Sequence, residues 1–71
     1  ASQILKRDKL NAYNAQLESY NQSIEWLHME EKNEKDGLKA ALLRKKQADI
    51  AIKAANIAEK AYKLELGLGD S

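Results

Sequence analysis

Glu30-Glu31-Lys32-Asn33-Glu34-Lys35-Asp36-Gly37 is a run without one apolar side chain, in a chain that is 44% apolar overall. Both neighbours of this run are helical in pattern, so its conformation decides the fold. If the backbone turns here, two arms of about 30 residues fold against each other. If the helix continues, the chain is a single rod of roughly 100 Å at 1.5 Å per residue.

On the N-terminal side, Leu10, Tyr13, Leu17, Tyr20, Ile24 and Leu27 follow one another at gaps of three and four residues. That spacing returns each side chain to nearly the same face of an α-helix for about five turns and makes a narrow apolar seam that only another helix can cover. Helix 1 is expected over about residues 3–31, with Ile4 and Leu5 outside the phase of the seam.

On the C-terminal side, helix 2 is expected over about 38–66, after a polar turn at about 32–37 and before a tail at 67–71. Gly67 is placed as a C-terminal cap, with Leu68 positioned for the apolar contact that accompanies such caps. Two seams run along this helix. One is Ala40, Leu43, Gln47, Ile50, Ala54, Ile57, Ala61, Leu64 and Leu68, alternating small and large. The other is Leu38, Ala41, Lys45, Ala48, Ile52, Ala55, Glu59, Tyr62 and Leu66, which continues the frame of helix 1 across Gly37. A helix apolar on two sides sits between two neighbours.

The expected fold is therefore all-α: an antiparallel helical hairpin, dimerising into a four-helix bundle so that the outer seam of helix 2 is covered. Its rival is one continuous helix in a coiled coil, which keeps Gly37 in a helix interior at a cost of ~1 kcal/mol. The rod also places Glu31, Glu34, Lys45 and Glu59 in the core, where coiled coils tolerate few charges. Charge favours folding back. Residues 17–36 carry six acids (Glu18, Glu25, Glu30, Glu31, Glu34, Asp36) against two bases, and residues 38–63 carry seven bases against two acids. In the hairpin Asn33 or Asp36 caps helix 2, Gly37 eases the turn, Glu25 lies near Arg44, and Glu30 near Lys39. Tyr13, Leu17 and Tyr20 then lie on a surface rich in Ala51, Ala54, Ala58 and Ala61.

Composition narrows the function. No Cys and no Pro, with only three Gly, describe a helical chain without disulfides or thiolate metal sites. At 71 residues it is a single module that buries little apolar surface by itself, and its start at Ala1-Ser2 is expected of a fragment of a larger protein. A net charge of +1 with 32% charged residues fits solubility through mixed charge better than a dedicated polyanion grip. No stretch has the length and apolarity of a membrane span. The lack of Cys and of an apolar signal core slightly favours cytoplasm or nucleus and leaves the compartment unknown.

Chemistry is sparse. His28 is the sole imidazole, and His28 with Glu31 offers at most a half-site for a metal; the plainer reading is a rim histidine. Neither Gly67-Leu68-Gly69 nor Asn21-Gln22-Ser23 sits in the context that a phosphate loop or a glycan acceptor needs. The chain is read as non-enzymatic, with no cofactor.

Two surface features remain. Lys39, Lys46, Lys53 and Lys60 recur every seven residues beside the helix 2 seam, either as contacts to an anionic partner or as a solvated flank whose stems shield that seam. Trp26 and Met29 lie off the helix 1 seam, either packing over the turn or into a second helix of the bundle, or anchoring a partner. The function expected is oligomerisation, scaffolding or protein interaction through Leu10, Tyr13, Leu17, Tyr20, Ile24, Leu27, Leu43, Ile50, Ala54, Ile57, Ala61 and Leu64. The partner is a second copy or another helical protein. The alternatives are a small nucleic-acid-binding helical dimer using the lysine stripe, and a hetero-complex adaptor or chaperone segment.

Overall fold

A computed structural model of the chain describes residues 2–67 and contains two α-helices: α1, Ser2–Asn33, and α2, Gly37–Glu65. No strand occurs among the described residues. The helices pack antiparallel along their length, and the chain measures 53 × 17 × 10 Å with a radius of gyration of 16.0 Å. The continuous rod is thereby overturned, since one helix of all these residues would be about twice as long.

The break lies in Glu34, Lys35 and Asp36 and has a local cause. Asp36 takes an extended backbone (φ −81°, ψ 121°), and its Oδ1 accepts hydrogen bonds from the N–H groups of Leu38 (2.9 Å) and Lys39 (3.1 Å). A free helix start presents unpartnered N–H groups, and a carboxylate here satisfies two of them. Asp36 N–H in turn donates to Glu34 Oε1 at 3.1 Å, and Glu34 N–H closes the end of α1 onto the Glu31 carbonyl at 3.1 Å. Of the two expected caps Asp36 serves; Asn33 is the last residue of α1.

Gly37 does not make the turn. It is the first residue of α2, its φ is not positive, and a Cβ built on it meets nothing within 4 Å. Gly37→Ala is accordingly expected to raise stability by about 0.4–1 kcal/mol by restricting the unfolded chain, seen as a higher thermal midpoint. A lower midpoint would show that the turn requires glycine. Gly67 is different: its φ of +75° is the left-handed conformation that ends a helix, and its N–H donates to the Leu64 carbonyl at 3.1 Å. Leu68 and the tail lie outside the described residues.

The three-residue break decides which seam of α2 faces α1. Ala40, Leu43, Gln47, Ile50, Ala54, Ile57, Ala61 and Leu64 are half-buried, at the same spacing as half-buried Leu10, Tyr13, Leu17, Tyr20 and Ile24 of α1. Among the described residues Leu27 alone is buried, at 7% exposure. Two helices cannot enclose a core, so the seam is a zipper with open sides. Of the four alanines expected opposite the tyrosines, Ala54 and Ala61 lie on this seam; Ala51 and Ala58 are exposed, because each is one position beyond a seam residue and rotated away.

Candidate interaction surfaces

The seam between the helices is closed at both ends by polar groups. At the open end Lys6 Nζ donates to the carbonyl of Glu65 at 3.1 Å, which places a cation at the negative end of α2. Near the turn, Glu31 and Glu34 occupy the next two seam positions after Leu27, at the same four- and three-residue steps, and both are half-buried. Across from them Gln47 replaces an apolar residue in the seam of α2.

Glu31 is the hub of this end. Its Oε1 accepts from Gln47 Nε2 at 2.9 Å and its Oε2 from Arg44 Nη1 at 3.0 Å, while Gln47 Nε2 also reaches the Leu43 carbonyl at 3.3 Å. His28 Nδ1 lies 3.9 Å from the same carboxylate, one turn back. The hydrogen bond from Gln47 and then that from Arg44 hold the Glu31 carboxyl below its ordinary value of 4.5; partial desolvation opposes them, and the charges of Arg44 and His28 add to them. A carboxyl whose folded pKa is depressed contributes stability that is complete above 4.5 and is lost as pH falls through the lower folded value. The stability difference between the native chain and Glu31→Gln, followed by urea unfolding, is therefore expected to shrink as pH drops below 4.5. A difference that is constant through that window would show that the carboxylate is not held by its partners.

The expected pairing of Glu25 with Arg44 is replaced by Glu31 with Arg44. Glu25 is one residue beyond the seam position Ile24 and is exposed on the flank, whereas Glu31 faces α2. Glu30 and Lys39 do line one shallow hollow, together with Glu34, Leu42, Leu43 and Lys46. The polar hub was within reach of the seam spacing itself, since continuing the count past Leu27 lands on Glu31 and Glu34. Charge alone, without that phase, picks the wrong acid.

Outside the seam lie three candidate surfaces. The first is the face of α2 turned away from α1, the second of its two seams: Leu38, Ile52, Tyr62 and Leu66 are 72%, 61%, 62% and 53% exposed. The second surface is around Trp26 and Met29, exposed at 61% and 64%. Trp26 does not pack over the turn, which begins eight residues further on; its side chain forms one wall of an open hollow with Ser19, Gln22, Ser23, Leu27 and Ile50. The third is the flank of Lys39, Lys46, Lys53 and Lys60, all exposed, with Glu30 and Glu34 beside Lys39 and Lys46.

Among the described residues no group of three or more His, Asp or Glu side chains is placed to hold a metal ion, and no helix is long and apolar enough to cross a membrane. The chain matches no protein-family model, no curated protein and no solved structure.

Proposed function

We propose that this hairpin is a non-enzymatic oligomerisation module, in which a second copy of the chain covers the helix faces that folding leaves open, completing an assembly of four helices. The observation that carries this reading is the apolar face of α2 turned away from α1, with Leu38, Ile52, Tyr62 and Leu66 more than half exposed. A hairpin with a single buried residue among those described has little core to hold it, and covering a second face with another copy supplies the apolar burial that one chain lacks. The lysine flank supports a nucleic-acid partner less well, because two of its four cations stand beside Glu30 and Glu34 and no aromatic side chain interleaves them.

Sedimentation equilibrium over a wide range of concentration tests the proposal. The expected result is a mass rising from 8.0 kDa toward twice that value with concentration. A constant 8.0 kDa rejects self-association. Steeply salt-dependent binding of an RNA or DNA duplex to the monomer would favour the lysine flank instead.

A further inference from the structure

We infer that the second copy docks antiparallel on the outer face of α2, with the two Ile52 side chains on the two-fold axis. The inference rests on the self-association proposed above and adds the face, the direction and the register.

The argument is a palindrome in charge. At seven-residue intervals the outermost column of α2 reads Leu38, Lys45, Ile52, Glu59, Leu66: apolar, basic, apolar, acidic, apolar. All five side chains are exposed and point away from α1. Setting a second α2 antiparallel with Ile52 against Ile52 places Lys45 of each chain opposite Glu59 of the other, twice by symmetry. It also places Leu38 of each chain opposite Leu66 of the other. In the flanking column Ala41, Ala48, Ala55 and Tyr62, the same register sets Tyr62, an exposed aromatic group, beside Ala41 of the second copy, and the alanines of that column are small enough for close approach. A parallel arrangement instead stacks Lys45 on Lys45 and Glu59 on Glu59, which is repulsive at both layers.

Geometry supports the same register. α2 runs from Gly37 to Glu65, and Ile52 lies one residue from its middle. Two antiparallel copies centred there overlap over the whole helix and leave no apolar overhang. A two-fold axis through one residue is the self-complementary interface that closed dimers require. The face lies opposite the α1 seam, so the four helices form a row, α1, α2, α2, α1, rather than a square. In the single hairpin Lys45 pairs with Asp49 (3.3 Å) and Glu59 with Lys63 (3.0 Å) along the helix. Both are exposed one-turn pairs of little strength, readily exchanged for the intermolecular pairing.

The test uses the full 71-residue chain in sedimentation equilibrium up to about 1 mM, the range in which weak, small interfaces are populated. Ile52→Glu puts two like charges on the axis and is expected to weaken the dimer at least tenfold while far-UV circular dichroism stays that of the hairpin, since the residue does not touch α1. Lys45→Glu and Glu59→Lys are each expected to weaken it, and the double variant carrying both changes to restore it to within about threefold of the native chain. Direction is read by cross-linking. The chain contains no Cys, so chains carrying Leu38→Cys are mixed with chains carrying Leu66→Cys and oxidised; the mixed disulfide is expected to dominate.

Three results would overturn the inference. A dimer indifferent to Ile52→Glu, particularly one lost on Trp26→Ala, rejects this face and leaves self-association standing. Disulfides only between like chains reject the antiparallel direction. A monomer at every concentration rejects this inference and the proposed function together.

Discussion

Replacing Leu27 by alanine is expected to cost the hairpin about 2 kcal/mol and to lower its thermal midpoint by roughly 10 °C. Leu27 is the one buried residue among those described, at 7% exposure, and sits where the seam meets the polar hub. On its turnward side the next seam position is Glu31, whose hydrogen bonds to Gln47 and Arg44 require that the two helices stay in register. Truncating the isobutyl side chain to a methyl takes away apolar burial and opens the seam beside these bonds. In a closed core the same change costs about 2–5 kcal/mol; the open sides of a two-helix zipper let water and neighbours fill part of the gap, which sets the expectation at the low end. Against a total stability of a few kcal/mol for a chain of this size the loss is large.

Leu42→Ala supplies the control. Leu42 is 51% exposed and lies off the seam, so its truncation is expected to move stability by less than about 0.5 kcal/mol. Urea unfolding of both variants at low protein concentration, where association contributes least, makes the comparison. Equal losses would mean that the α1–α2 seam is not what holds the chain together.

How much of this was legible in the sequence depends on whether a feature is set by period or by phase. The three-four spacing of Leu10 through Leu27 follows directly from helix geometry, and it marks the half-buried face of α1 residue by residue. The two seams of α2 are equally visible in the sequence. Which of them meets α1 depends on how many residues leave the helix at the turn, because three non-helical residues reset the phase. Continuing the first frame across Gly37 selects Leu38, Lys45 and Ile52, which the structure places outside.

Asp36 was a candidate cap by residue type, but its rank over Asn33 rests on where α1 stops. The partner of Arg44 was missed for a rotational reason: Glu25 and Glu31 are both acids at a plausible height, and only the phase of the seam turns one toward α2. The exposure of Trp26 was the least legible feature, since large aromatic side chains are more often packed than exposed and its place one residue before Leu27 puts it beside the seam but not on it.

Asp36→Ala is expected to lower stability by about 1–2 kcal/mol, the second largest effect of a single change in the monomer. The side chain accepts from two N–H groups at the start of α2, and alanine leaves both without a protein partner. Asp36→Ser separates the capping bond from other roles of this position. Serine accepts at an N-terminal cap about as well as aspartate, so the serine variant is expected to keep most of the native stability. The competing state is the continuous helix, which alanine favours locally through its helix propensity. That state would expose both α1 and α2 seams and set Glu31, Glu34, Lys45 and Glu59 along its own apolar frame, so the loss of one cap does not make it the better fold. Small-angle scattering of Asp36→Ala is therefore expected to keep a particle of hairpin length, near the 53 Å of the native fold. Scattering that lengthens toward about 100 Å, the span of an unbroken helix of this many residues, would mean that the Asp36 cap, and not the charge burden of the rod, chooses between the two folds.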